Sequence, residues 1–293
     1  MRSRAVHLTT HPLVQPLADL PHLVKLLDDE EPAVQAELAE QFTHCNGDLS
    51  AELQQLNILL SPRDRLLLSD LLGPGRRRAL RSEWFVPDGG ITDTESGWAT
   101  FEMLLRLLSD LLHDGITPRP GLIDALDALA DEVTVCAADT DEESLCEYLF
   151  GSGRFRSNSS GYYNPENSDL LWILQNRKGN PIGLTVLAML VARRLDLVIH
   201  GCSFPGHFLG WIGSGESSVL VDCYHRGRLV SLQELYSKPA QLSTEARQAI
   251  QRPCSLHDIL QRMLVNLQFA LGQNNRTKDS VLVSDLLESI VTA

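Results

Sequence analysis

Between residues 200 and 225 the chain gathers several side chains of metal-ligand type, among them His200, Cys202, His207, Asp222, Cys223 and His225. Imidazole, thiolate and carboxylate are together the donors of zinc chemistry. If these residues lie on strands, His200 and Cys202 share one face and Cys223 and His225 share another, so the two pairs can in principle meet. Their spacing matches no zinc-binding pattern, and independent side chains on separate strands account for them. No metal and no other cofactor is expected. Upstream, NRKGNPIGLTVLAMLVARRLDL offers a second kind of chemistry. Asn180 is a favoured helix N-cap and Pro181 suits the first helical position. The open N-terminus of such a helix presents backbone N–H groups that lower the pKa of a nearby thiol or attract an anion.

Short strands and one buried helix are needed to hold these residues. LVIHGCSF, HFLGWI, SSVLVDCYH and LVSL read as strands, divided by Pro205-Gly206, by Gly213–Glu216 and by a turn at Gly227. They predict an antiparallel sheet packed beside the preceding helix. That helix carries Leu184, Leu187, Ala188, Val191 and Leu195 at helical period, which buries it along one side. Leu170–Gln175 continues a helix that begins near Ser168. The stretch GSGRFRSNSSGYYNPENS, from Gly151, reads as a structured loop between domains, too aromatic (Phe155, Tyr162, Tyr163) for a free linker. Towards the C-terminus, Ser255-Leu256-His257-Asp258 forms a capping box. Leu256, Ile259, Leu260, Met263, Leu264, Leu267 and Leu271 then follow a helical stripe, and Lys278–Val291 packs back across QNNRT.

The first 150 residues read as helical. Leu20–Asp29 and a helix starting at Pro32 flank the turn DDEEP, Asn46-Gly47 stops the second, and Asp48 caps a third with Leu53, Leu56 and Leu60. The pair LVKLLDDEEPAVQAELAEQF resembles a HEAT-type repeat, and a plain antiparallel helical hairpin accounts for the same residues. Pro62–Leu72 and Glu95–Leu112 are expected helices, split by a loop through Gly73-Pro74-Gly75 and Pro87-Asp88-Gly89-Gly90. Arg76-Arg77-Arg78, with Arg81, reads as a solvated basic face rather than a receptor for an acidic partner. Leu122–Val133 and Glu142–Phe150 complete this half. With 43% hydrophobic and 22% charged residues in 293, the chain is globular rather than disordered. Its net charge of −13 argues against nucleic acid and against anionic membrane surfaces as partners. The first twenty residues hold no signal-like apolar core, and the longest apolar run, around Leu184–Ala192, is far too short to span a bilayer. Six scattered cysteines without a C-x-x-C pair read as reduced thiols, as in a cytoplasmic protein.

The run YYNPENSDLLWILQNRKGNPIGLTVLAMLVARRLDLVIHGCSFPGHFLGWI, continued by LVDCYHRGRLVSL, resembles the transglutaminase-like superfamily, specifically its bacterial SirB-type branch. The matching features, in order, are Asn167-Ser168, Arg177-x-Gly179-x-Pro181, Pro205-Gly206-His207-Phe208 and Asp222. LQRMLVNLQFAL resembles the C-terminal helical region of the same branch, and the likeness covers about residues 122–291. The resemblance implies a Cys, His, Asp order of catalytic groups, with the Cys at the N-terminus of the buried helix. The imidazole would take the thiol proton and the carboxylate would orient the imidazole. Carried over residue by residue, His207 takes the His position and Asp222 the Asp position. The Cys position falls near Ile182–Leu184, where this chain has no cysteine. Thr185 is the nearest hydroxyl and a poor replacement. The SirB-type branch commonly lacks this cysteine, and removing the nucleophile abolishes nearly all the rate of such a unit.

These readings predict an α+β protein. Residues 1–120 form a helical, partly HEAT-like region. Residues 121–250 form a transglutaminase-like (papain-like) domain with a small antiparallel sheet packed on helices, and residues 251–293 a tetratricopeptide-like hairpin. The expected function is protein or peptide binding by a non-catalytic domain, with His207 and Asp222 kept as a hydrogen-bonded pair. Asn167, Ser168, Arg177, Gly179, Pro181, Pro205, Gly206 and Phe208 are its expected binding or structural residues. The alternative is a cysteine-dependent amide hydrolase or acyltransferase using a displaced Cys202 with His207 and Asp222. Cys223 is disfavoured for that role, because strand alternation turns it away from the face of Asp222.

Overall fold

A computed structural model describes residues 19–136, 140–214, 217–237 and 242–292. The reading of the chain's first eighteen residues, and of Gly215 and Glu216 in the turn, lies outside them. The described residues divide into two compact units. One holds the chain up to Glu83 together with His113–Arg119, and the other holds Trp84–Leu112 and the chain from Pro120 onward. The change of texture at Gly151 thus falls inside the second unit.

In the first unit, α1 (Leu20–Lys25) and α2 (Pro32–Thr43) flank the DDEEP turn. They are followed by α3 (Ser50–Gln55) and α4 (Pro62–Glu83). Helix α1 is shorter than expected: at Leu26 and Leu27 the backbone tightens to i→i−3 bonds onto Leu23 and Val24. Helix α3 stops before Leu60 because Asn57 takes a left-handed φ of 52°. The larger correction concerns Gly73-Pro74-Gly75, which does not break the chain. Helix α4 runs straight through it. A proline inside a helix removes a backbone bond and crowds the preceding turn, so tertiary contacts must compensate. Leu72 and Leu80 are buried on either side. Gly75 lets the α4 backbone meet the turn after α2, since a Cβ there would stand 2.6 Å from the Cys45 carbonyl oxygen. Arg76 then donates to Ser69 O (3.0 Å) in the loosened turn and to Asp114 O (3.0 Å). Arg78 donates to the carbonyls of Thr43 and Cys45. Arg76 and Arg78 therefore close the carbonyl ends of neighbouring backbone, where a solvated basic face was expected.

The second unit contains α5 (Glu95–Leu112), α6 (Leu122–Cys136) and α7 (Glu142–Cys146), the last widening into a π turn at Glu147–Gly151. Strand β1 (Arg156–Ser157) pairs in parallel with β2 (Lys178–Gly179), on either side of α8 (Leu170–Asn176). After α9 (Pro181–Arg194), strands β3 (Ile199–Cys202), β4 (Leu209–Ile212), β5 (Val219–Asp222) and β6 (Arg228–Ser231) form one antiparallel sheet in sequence order. Helices α10 (Leu232–Ser237), α11 (Thr244–Ala249), α12 (Leu256–Gln273) and α13 (Thr277–Thr292) complete the chain, α12 starting on the expected capping box. The antiparallel sheet on helices and the C-terminal helix pair agree with the expected α+β class. No helix among the described residues is long and apolar enough to cross a membrane.

Two features correct the sequence reading. Helix α9 is buried on all sides, not one: every residue from Pro181 to Ala192 is inside. It packs against α6, α7, α8, β3 and β4, which is why its apolar run is nearly continuous. Strand β5 ends at Asp222, and Cys223–His225 is one turn of 3-10 helix. Cys223 and His225 therefore share no strand face, and the two-by-two arrangement with His200 and Cys202 does not form.

The tight approach at Gly75 makes a clean test. Gly75→Ala should lower stability by about 1–3 kcal/mol through overpacking. Gly73→Ala meets only the end of the Arg77 side chain at 3.3 Å, and should be neutral or stabilising by up to ~1 kcal/mol through helix propensity. Urea unfolding midpoints of the two variants would separate these outcomes.

Candidate functional site

The head of α9 is fixed by side-chain amides and carboxylates. Asn180 is extended, as an N-cap must be, and its Oδ1 accepts the Gly183 N–H at 2.8 Å. Asp169 does the same for α8, accepting from Leu171 (2.9 Å) and Trp172 (3.1 Å). Between the two helices Arg177 takes a left-handed φ of 56° and ends α8, and its carbonyl accepts from Arg156. Gly179 accepts from Asn158 N, and a Cβ there would press on Ile173 and Leu184. Asn167 is buried, with its amide donating to Gly161 O (2.7 Å) and Tyr162 O (3.0 Å). Arg177, Gly179 and Asn167 thus place the helix head without lining any cavity at it.

A cleft of about 330 Å³ opens at that head. Of the residues singled out in the sequence it brings together Ser168, Pro181, Gly206, His207 and Phe208. The other walls come from elsewhere: Tyr162 and Tyr163 from the loop before α8, and Arg262, Val265, Asn266 and Phe269 from α12. The rings of Phe269 and Tyr163 stand 5.4 Å apart, those of Tyr163 and Tyr162 5.2 Å, those of Tyr162 and Tyr224 6.3 Å, and those of Tyr224 and His207 6.1 Å. Arg262 and Phe269 were missed in the sequence. A usable signal was present: Val265 and Phe269 are apolar, four residues apart, and off the core stripe of their helix.

His207 and Asp222 meet as expected. His207 follows the Pro205-Gly206 turn, where Gly206 has φ 71°. Its Nε2 lies 2.8 Å from Asp222 Oδ1. Arg262 fixes the turn from α12, donating to His207 O at 2.8 Å, and its guanidinium lies over the Phe208 ring at 5.3 Å. His225, which strand alternation had grouped with Cys223, joins the pair. Its Nδ1 lies 2.8 Å from Asp222 Oδ2, and its backbone N–H donates to Oδ1 at 3.0 Å. Burial alone would raise the Asp222 pKa, but these bonds from His207 and His225 outweigh it and hold the carboxyl at about 2.

Cys202 stands apart from this constellation. It is fully buried in an apolar cluster with Leu209, Trp211, Leu220, Leu232 and Ile250, and its Sγ donates to Ala249 O. Desolvation pushes its thiol up to about 12. Cys223, also sealed from solvent, is pushed to about 12 by the same cause. A nucleophilic cysteine needs the opposite shift. At the helix head itself the cleft wall is Ile182, an alkyl side chain. A Cβ on Gly183 would stand 2.7 Å from Asn167 O, and the Thr185 hydroxyl is buried and donates to Pro181 O.

Residues 121–265 match the family model of the transglutaminase-like superfamily. A UPF0162 protein of Xylella fastidiosa (strain 9a5c) is 33% identical over 150 residues, which cover 49% of this chain and 53% of that protein. A UPF0162 protein of Vibrio cholerae is 26% identical over 159 residues, 51% of this chain and 56% of its own. The mouse F-box only protein 21 is 29% identical over 149 residues, 48% of this chain and 23% of that protein. The matched region spans about half the length of the Xylella relative. No solved structure matches significantly.

Two measurements probe the site. Ile182→Cys should create a thiol with a pKa below the ordinary value of about 8.5, alkylated at pH 7 faster than the native thiols and slowed by adding His207→Ala. A thiol as inert as Cys202 would show that residue 182 does not face the imidazole. For Asp222 the folded pKa lies below the ordinary 3.8. Its contribution to stability is therefore present above about pH 4 and lost as the pH falls towards 2. The stability gap between the native chain and Asp222→Asn, read from urea midpoints, should shrink across that window.

Proposed function

We propose that the transglutaminase-like domain at residues 121–265 works without a catalytic thiol and binds a peptide segment of a partner protein in the cleft at the head of α9. The observation that carries this is Ile182 in the cleft wall: of the Ile182–Leu184 stretch near which the resemblance calls for a thiolate, the residue that reaches the cleft ends in a sec-butyl hydrocarbon. No general base compensates for a missing nucleophile, so His207 and Asp222 alone leave acyl transfer without its covalent step. The alternative, a thiol hydrolase using Cys202, is disfavoured by that sulfur's burial, its bond to Ala249 O and its raised pKa.

The character of the cleft supports recognition. Tyr162, Tyr163, Phe208 and Phe269 supply aromatic surface, while Asn180, Asn266 and His207 add a few polar groups to fix orientation. Tyr163 and Phe269 keep more than half their surface exposed, and rigid aromatic anchors of this kind dominate peptide and protein interfaces. Helix α12 supplies one wall, so the C-terminal hairpin belongs to the binding unit in this reading. A reducing, cytoplasmic setting is part of the proposal, supported by six unpaired cysteines. A bacterial source accords with the Xylella and Vibrio relatives.

The test has two arms. The chain is incubated with a glutamine peptide and a primary amine, and separately with a chromogenic amide, and neither should turn over above the buffer blank. Turnover abolished by Cys202→Ser would overturn the non-catalytic reading. In the second arm, peptides are selected by display on the native chain. Tyr163→Ala and Phe269→Ala should each weaken the selected peptides by about tenfold or more, the scale of an aromatic anchor. Unchanged affinity in both would move the binding surface elsewhere.

A further inference from the structure

Asp222 is bracketed by two imidazoles. One ligand atom from each of His207, Asp222 and His225 lies within 4.8 Å of the other two. Each imidazole contacts a different carboxylate oxygen, both at 2.8 Å. Hydrogen bonding accounts for each contact taken singly. Two histidines converging on one carboxylate from opposite oxygens is the donor set of an N,N,O metal site. A tetrahedral ion with bonds of about 2.0–2.1 Å keeps its ligand atoms about 3.3 Å apart. The two contacts at Asp222 therefore need to open by about half an ångström, and the donor atoms farthest apart, which lie within 4.8 Å, need to draw in by up to about 1.5 Å.

The geometry points to a divalent transition-metal site of the zinc class at His207 Nε2, the Asp222 carboxylate and His225 Nδ1, with the remaining coordination left to solvent or a ligand. The three donors stand on well-fixed supports. Asp222 ends β5, and its Oδ1 accepts the His225 N–H, the kind of outer contact that orients a metal-bound carboxylate. His207 is tied through its carbonyl to Arg262. His225 sits on a single 3-10 turn closed by Arg226 at φ 60°. Its side chain is 64% exposed, so it can make the small adjustment and leaves the site reachable from solvent. In the metal-bound form each imidazole would carry its proton on the nitrogen away from the ion, His207 Nδ1 and His225 Nε2. This site is independent of the peptide-binding proposal, although His207 lines the cleft and belongs to both.

Calorimetric titration of the metal-free full chain with Zn²⁺ at pH 7 tests it, together with the absorption spectrum of the Co²⁺ form. One ion per chain is expected, and a cobalt spectrum of nitrogen and oxygen ligation without a thiolate charge-transfer band. His225→Ala should weaken binding by about 100-fold or more, at least the scale of losing an outer-shell partner. The metal-free variant keeps the His207 and backbone N–H contacts to Asp222, so it should still unfold in one cooperative transition at a modestly lowered melting temperature, which separates lost metal binding from lost folding. Cys136→Ser should leave binding unchanged. Absence of one-to-one binding, equal affinity in His225→Ala, or a thiolate band in the cobalt spectrum would each overturn the assignment.

Discussion

A helix without a solvent face has to be satisfied entirely at its two ends, and α9 is such a helix. From Pro181 to Ala192 it is enclosed by helices and by the sheet. Its tail reaches polar partners through Arg194, which binds Glu102 and Asp127. Its head is the harder end, because free N–H groups in an apolar interior are costly. Asn180 caps them, and the Asn167 carbonyl packs against Gly183 so closely that no side chain fits there. Much of the second unit's loop structure, including the β1–β2 pairing and the left-handed turn at Arg177, serves to deliver these groups to one helix end.

Against that background the pairing of His207 with Asp222 has a structural reason. The half-buried carboxylate ends a strand, and burial works against its charge. Two imidazoles and one backbone N–H keep it ionised, and in doing so close the turn Cys223–His225. Remove the histidines and the carboxylate would have to be solvated or protonated. The dyad therefore holds the end of β5 in place whether or not chemistry takes place beside it.

What the sequence made legible was local. Asn180-Pro181 announced a helix start because capping depends on residues within one turn, and the alternating strands with their glycine turns fell in order. Helix α4 was hidden, since Gly73-Pro74-Gly75 reads as a break unless the turn against which Gly75 packs is already known. The burial of α9 on all sides was half legible: its near-continuous apolar run fits an enclosed helix, but periodicity alone emphasised one face. The cleft was least accessible, because its walls come from Tyr162 and Phe269, more than a hundred residues apart in the chain. His225 illustrates the same limit at short range. Placed on an extended strand it pairs with Cys223, and only the 3-10 turn after Asp222 swings it to the carboxylate.

The loop carrying Tyr162 and Tyr163 is a wall built in advance. Asn158 and Asn167 join through their amides at 2.9 Å, and both grip Gly161 O. The loop is also tied across to Asn274, which donates to Tyr163 O at 2.9 Å. The conformational entropy of this segment is consequently lost when the chain folds and would not be lost again on binding of the proposed peptide. A ligand of this cleft should need little rearrangement to associate, and differences in affinity among ligands would then reside chiefly in how slowly they leave.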